Sequence, residues 1–312
     1  MTDRRVVWRD GALVPSAEAT VHVLSHAAAR GSQVFDVLRV EITDDGPCAV
    51  GLRPHVVRFL RSAELMGMVE VGEIADLERA VALTLVANRA ADPGQAGPWV
   101  VKLMAVWVEP GVGVLPASLR PQVVIAAFPA NPDAVDPVGP PVSLRSSVMP
   151  KMPARILPAS LKVAAAYTPA VREHLAARSA GFDHPVFRTE SGDLAESTSS
   201  SILVIRNERL LAPPLDSVLD GISRRAVFDA AQTLSLPLDV RPVSWDEVEA
   251  ADELILSSTN HAVTPVAQLD DRAFEAPGPV TAKIGQVITD VYRGDHPLSD
   301  RWLTPLSPLA AD

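Results

Sequence analysis

Lys162, Glu196, the turn Gly221-Ile222-Ser223 and the turn Ser257-Ser258-Thr259 follow one another behind Arg58 in a chain of 312 residues. A lysine in a dry setting can serve as nucleophile and as base, and its amine can hold an aldehyde as a Schiff base. Lys162 precedes the apolar stretch Val163 to Ala166, which would keep water off it. A pyridine nitrogen stays protonated, and so able to draw electrons, when a carboxylate sits against it. Glu196, in LAESTSSSILVI, follows the turn SGD and precedes a strand-like run, which suits that role. A phosphate is held by backbone N–H groups at a helix start, by a hydroxyl and by a cation. Ile222 and Ser223, Thr259 and Arg58 supply these. The set meets the needs of pyridoxal 5'-phosphate. Each member alone has a plainer reading: a solvated lysine, an exposed loop acid, an N-capped helix start, a helix-surface arginine, a strand-end hydroxyl.

Apolar patterning outlines the helices and strands that carry these residues. The first part alternates short strand-like runs with two helical ones. Arg53 to Gly67 puts Val56, Phe59, Leu60, Ala63 and Met66 on one face and ends in a glycine stop signal. Strands are expected at Val34 to Glu41, Trp99 to Val108 and Gln122 to Phe128. Pro129 to Pro141, PANPDAVDPVGPP, has the composition of a linker. It divides a smaller N-terminal α/β domain, residues 1–128, from a larger cofactor-binding domain, residues 142–312. In the second domain helices are expected near Thr168 to Ser179, Ile222 to Leu234 and Val280 to Tyr292, with strands at Val186 to Thr189, Ser201 to Ile205 and Leu254 to Ser257.

Composition narrows the function classes. With 47% hydrophobic residues the chain can fill two cores. A net charge of −10 without a Lys/Arg cluster argues against a nucleic-acid groove or an anionic membrane surface. Cys48 is the only cysteine, which rules out an intrachain disulfide and a cysteine-based zinc site and suits a reducing cytoplasm. The seven histidines lack metal-ligand spacing, so no metal is expected. The start MTDRRVVWRDG has no apolar signal region, and no apolar run is long enough to span a membrane, so neither a leader nor a span is expected.

Further blocks extend the pattern along nearly the whole chain: WRDGALVP at Trp8 to Pro15, VHVLSHAAARGSQVFDVLRV at Val21 to Val40, RPHVVRFLRSA at Arg53 to Ala63, VVIAAFPA at Val123 to Ala130, LKVAAAYTPA at Leu161 to Ala170, APPLDSVLDGISR at Ala212 to Arg224, ADELILSSTNHAVTPV at Ala251 to Val266 and GPVTAKI at Gly278 to Ile284. In this order they resemble the class IV, fold-type IV, pyridoxal-phosphate-dependent aminotransferases, nearest the branched-chain amino acid type. The resemblance implies a mixed α/β (α+β) fold of two domains, the cofactor in the cleft between them, and a homodimer lending loops across its interface. It implies that Lys162 bonds the cofactor and moves the substrate proton, that Tyr167 hydrogen-bonds the cofactor's phenolic oxygen, that Glu196 pairs with the pyridinium, and that Arg58, Ile222, Ser223 and Thr259 hold the phosphate. The reaction implied is amino-group exchange between an amino acid, or a chiral amine, and a 2-oxo acid. His26 and His55 match scaffold positions and read as structural hydrogen-bonders, and Trp99 and Trp107 as strand core or pocket wall.

The substrate side departs from the pattern. Arg30 stands where the branched-chain enzymes have tyrosine, Val100-Val101-Lys102 where they have Tyr-x-Arg, and Asp133 where an interdomain tyrosine falls; Phe35 is kept and Asp36 replaces glutamate. Lost apolar lining weakens binding by about 25 cal/mol per Å², which argues against leucine or valine as simple substrates. Arg30, Phe35, Lys102, Asp133 and Asn260 form the candidate substrate set. Either Arg30 or Lys102 pairs with an acceptor group on the substrate, or Arg30 pairs inside the protein with Asp36 or Asp133. Ser201 stands where the family has asparagine. Two rivals stay open: a 4-amino-4-deoxychorismate lyase-type enzyme, favoured by Lys102 in VVKL and disfavoured by Tyr167 and by the WRDG and HAAARG blocks, and a non-catalytic binding protein on the same fold.

Overall fold

The computed structural model describes residues 5–311. Chain contacts divide it into two units. The first runs to Val135 and takes in Leu161–Ala165 and the segment from Ser299; the second comprises Asp136–Ser160 and Ala166–Leu298. The chain first passes from one unit to the other inside the proline-rich stretch 129–141. It then returns for five residues that include Lys162, which the sequence places in the second block.

The first unit is built on a seven-stranded antiparallel sheet in the order Leu303–Pro305, Gly46–Val50, Val34–Thr43, Trp99–Val106, Gln122–Pro129, Val6–Arg9, Ala12–Pro15. Alternation sorts the residues of Val34–Thr43 onto two faces. Val34, Asp36, Leu38 and Val40 are buried, while Phe35 and Val37 are half-buried on the other face. The helix Leu52–Leu65 covers the first face with Val56, Phe59 and Ala63. It stops at Gly67 with φ 74°, which only a residue without Cβ adopts at no cost. The helix Ile74–Ala91 is longer, and apolar patterning sets no bounds for it although two helical runs are expected in this part. Its apolar residues are spread round the barrel of the helix, so no clear stripe marks it.

The second unit holds a nine-stranded sheet in which Leu194–Ser197 pairs both with His184–Arg188 and, through Glu196 and Ser201, with Ser201–Arg206. That second pairing closes six strands into a ring: Ser201–Arg206, Glu253–Ser257, Thr264–Leu269, Val142–Ser146, His184–Arg188 and Leu194–Ser197. The interior is filled by Leu144, Val186, Leu194, Ile202, Val204, Leu254, Leu256 and Val266. The helices Ile222–Thr233 and Pro279–Arg293 pack on each other and on Glu253–Ser257. Glu253 accepts from the N–H groups of Val280 and Thr281 and so caps the second of these. Among the described residues no helix is long and apolar enough to cross a membrane.

Candidate functional site

In the first unit the lysine segment is tied beside the strand Val34–Thr43 by an isolated bridge and then turns into the 3-10 helix Ala164–Ala166. Ala165 N–H donates to Gly31, Ala164 N–H to Gln33, and Phe35 N–H to the Lys162 carbonyl at 3.1 Å, with Val163 bridging Val34. On its other side Lys162 N–H donates to Ser62 Oγ on the helix Leu52–Leu65 at 3.1 Å. The lysine backbone is therefore fixed from two elements. Gly31 has φ 63°, a left-handed conformation that favours glycine; a Cβ there would make only ordinary contact with Ala165, at 3.4 Å.

Phe35 carries two cations. Lys162 Nζ lies 5.1 Å and Lys102 Nζ 5.0 Å from the centroid of its ring. Lys102 reaches it because Val37 and Lys102 are register partners, which puts both residues on the half-buried face. Burial, and then the charge of Lys162, push the Lys102 ammonium below its ordinary value.

Asp36 points to the opposite face and is fully buried. It accepts from Arg58 Nε and Nη2, each at 2.8 Å, and pairs with His55 Nδ1 at 2.7 Å. Arg58 is thus locked from one edge of its guanidinium. Arg30 is exposed and donates to the Val112 carbonyl at 3.1 Å; it pairs with neither Asp36 nor Asp133. The internal ion pair considered for Arg30 does not form, because Asp36 has already taken two partners from the helix beneath it. Asp133 is exposed in the short turn Pro132–Ala134. His26 bonds Ser32 and the Val114 carbonyl and meets Trp107 edge-on, and Trp99 and Trp107 are buried, all as scaffold.

In the second unit the ring closure does the positioning. Ser201 is the register partner of Glu196 on one side and of Ser257 on the other, so three polar residues stand side by side at one end of the ring. Ser201 Oγ in turn lies 2.8 Å from where a Cβ on Gly221 would be, which brings the Gly221-Ile222-Ser223 turn against the same end. Gly221 is the N-cap of the helix Ile222–Thr233, and no side chain caps that end. Ser257 Oγ is buried without a hydrogen-bond partner. Thr259 and Asn260 occupy the turn that follows it, closed by Ser258 N–H to the His261 carbonyl at 2.9 Å. Tyr167 opens the helix Tyr167–Ser179.

Glu196 is engaged from two loops. Its Oε1 forms an ion pair with Lys151 Nζ, and its Oε2 accepts Leu219 N–H at 3.1 Å. Lys151 Nζ also donates to the Ser217 carbonyl at 3.1 Å. Arg224, one residue past Ser223, is buried with Nε and Nη1 unpartnered; burial pushes its guanidinium down, against the charges of Asp220 and Glu196. Sequence reasoning passed over Lys151, Arg224 and the Asp36–His55 anchor, and named Ser257 only as the start of its turn. One signal for Lys151 was present: the chain has only four lysines, and three of them, Lys102, Lys151 and Lys162, stand at these positions.

The family model described as Amino-transferase class IV matches residues 33–269, well over half of the chain. A branched-chain-amino-acid aminotransferase of Pseudomonas aeruginosa is 27% identical over 311 residues, covering 97% of this chain and 98% of that protein. Among solved structures, the branched-chain aminotransferase from the thermophilic archaeon Thermoproteus uzoniensis with norvaline aligns with TM-score 0.89 and 28% identity, over 97% of this chain and 99% of its own. A T.th. branched-chain amino acid aminotransferase complexed with N-(5'-phosphopyridoxyl)-L-glutamate aligns with TM-score 0.88 and 27% identity, over 98% and 100%.

Proposed function

This chain belongs to the amino-transferase class IV family, and we propose on that premise that it is a pyridoxal 5'-phosphate-dependent transaminase exchanging the amino group of an amino acid with a 2-oxo acid. The observation that carries this reading is the register Glu196–Ser201–Ser257 with Gly221 against Ser201. It gathers a carboxylate, an uncapped helix start and a hydroxyl-rich turn at one end of one ring.

The residues fit the cofactor. A buried Ser257 hydroxyl without a partner and a helix start without a side-chain cap are the donors a phosphate takes up. A carboxylate has about four lone-pair sites, and Lys151 and Leu219 use two at Glu196, which leaves acceptor capacity for a protonated ring nitrogen. When bound, the cofactor supplies the electron sink for the substrate Cα. Lys162 Nζ holds the cofactor between turnovers and takes and returns the proton at that carbon. Its fixed backbone limits the directions from which it can do so. Ile222, Ser223 and Thr259, with Arg58 oriented by Asp36, hold the phosphate. Tyr167 donates to the phenolic oxygen. A lyase of the 4-amino-4-deoxychorismate type is not favoured, since the relatives and solved structures are aminotransferases.

On the substrate side, Lys102 is half-buried beside Phe35, and a partly desolvated cation there supports substrates with a second acceptor group. Arg30 is at the surface of its unit and is a weaker candidate. Asn260 and Asp133 are exposed and remain in the proposed substrate set. We place the enzyme in the cytoplasm as a homodimer, a reading supported by the single buried Cys48 and by the exposed apolar side chains of Val23, Val112, Val114 and Leu115.

The test is absorbance of the cofactor-loaded protein while L-amino acids, D-amino acids and chiral amines, with and without a second carboxylate, are added singly. Conversion of the aldehyde form to the amine form by one donor shows transamination and gives its stereochemistry. Release of pyruvate from aminodeoxychorismate with no conversion by any donor would overturn the reading.

A further inference from the structure

Glu196 does not stand alone. The ammonium of Lys151 is held by the Glu196 carboxylate and the Ser217 carbonyl, and Lys151 N–H donates to the Arg188 carbonyl at 2.8 Å. Both side chains are more than four-fifths buried. The cation is therefore fixed, and water screens it poorly. Leu219, the second donor to Glu196, and Ser217, the second acceptor for Lys151, belong to the same loop that leads into Gly221 and the helix Ile222–Thr233.

We propose that Lys151 is a positioning residue that sets how strongly Glu196 holds the proton on the cofactor's ring nitrogen, and so how strong an electron sink this enzyme maintains. This rests on the reading that Glu196 faces that nitrogen. A carboxylate alone beside a protonated ring makes a neutral pair. With Lys151 fixed on Oε1, the group of three would carry one net positive charge, which would oppose protonation of the ring. The same contact aims the carboxylate, since one oxygen is committed to Lys151 and the other to Leu219 N–H. Lys151 thus trades some electron-sink strength for a carboxylate that does not swing. Among the described residues the Arg224 guanidinium also feels the charge of Glu196, together with those of Asp220 and Arg225. They are common to every variant below and cancel in the comparison.

The experiment uses the full chain loaded with pyridoxal 5'-phosphate labelled with 15N in the ring, and follows the ring nitrogen resonance against pH. In Lys151→Met and Lys151→Gln the resonance should lie further toward the protonated value, with its midpoint higher by about one pH unit or more. Lys151→Gln keeps a donor without the charge, and Lys151→Arg keeps the charge and should titrate as the parent does. Circular dichroism checks that each variant is folded. The same resonance at every pH in the parent and in Lys151→Gln or Lys151→Met sinks the proposal. Glu196→Gln separates the two levels: if it leaves the ring nitrogen unchanged, the placement of Glu196 itself is wrong and the proposal falls with it. If Glu196→Gln lowers protonation while neither neutral Lys151 variant has an effect, only the role of Lys151 falls.

Discussion

Asp36 orients Arg58, and its buried charge is tolerated only because its neighbours answer it. Burial pushes its carboxyl up, but the Arg58 charge, the His55 ring and the hydrogen bonds from both outweigh this and hold it well below the ordinary value of 3.8. A carboxylate depressed in the folded state contributes stability that is complete above 3.8 and drains away as the pH falls below it. His55 acts in the same direction. Burial, against the pull of Asp36, lowers it below 6.5, so the unfolded chain takes up that proton first and stability begins to fall below that pH. We expect urea unfolding to show a gentle loss starting below pH 6.5 and a steeper one below 3.8. Asp36→Asn should make the steeper loss shallower and cost about 3–5 kcal/mol at neutral pH, because Arg58 loses a buried carboxylate partner; Glu247 and Asp183 keep their own share of the acid limb. An unchanged acid limb in that variant would refute the assignment. At the sequence level Asp36 was visible as a shorter acid in place of glutamate and as one of two internal partners considered for Arg30. Its partners lie 19 and 22 residues on, and only the fold shows that a strand face and a helix face meet there.

At the scale of elements, periodicity reported what it physically encodes. The strands Val34–Thr43, Trp99–Val106 and Gln122–Pro129 and the helices Leu52–Leu65, Ile222–Thr233 and Pro279–Arg293 were legible because each has one buried face or a strong end signal. The helix Ile74–Ala91 was not, nor were short strands such as Leu194–Ser197, which owe their existence to ladder partners far away in sequence. Yet that short strand closes the ring and carries Glu196. The closure makes the Gly221 turn a test of the whole end of the ring. Gly221 has φ −69°, so alanine fits its backbone, but the new Cβ would meet Ser201 Oγ at 2.8 Å and Arg224 Cβ at 3.2 Å. We expect Gly221→Ala to push the helix start off the serine and weaken cofactor binding about tenfold or more, a loss of about 1.4 kcal/mol, measured by fluorescence titration. Adding Ser201→Ala removes the nearer obstacle and should recover part of the affinity. A double variant no tighter than Gly221→Ala would mean that Ser201 does not seat this turn.

For the whole molecule, the order of the motifs along the chain was legible, while the way the chain shares them out was not. A boundary in the proline-rich stretch suggests two consecutive blocks, but contacts assign Lys162 to the first unit by way of a five-residue return. No composition signal marks that return, because hydrogen bonds to Gly31, Gln33 and Ser62, and no local pattern, hold it there. The surface of the first unit carries one further feature. Val23, Val112, Val114 and Leu115 are 78%, 89%, 79% and 84% exposed, more than side chains of this kind tolerate without cover. They are neighbours, since Gly111 N–H donates to the Leu24 carbonyl and His26 and Arg30 bond the carbonyls of Val114 and Val112. These hydrogen bonds hold the two segments in shape, so the patch is built and not simply loose chain. A second copy of this chain is the partner we expect to cover it. Val23→Asp combined with Leu115→Asp places two charges in a contact that would otherwise be dry, where each uncompensated charge costs several kcal/mol. In sedimentation velocity at micromolar concentration the parent should run as a dimer and the double variant as a folded monomer with unchanged far-ultraviolet circular dichroism. A double variant that still sediments as the parent dimer would place the subunit interface elsewhere.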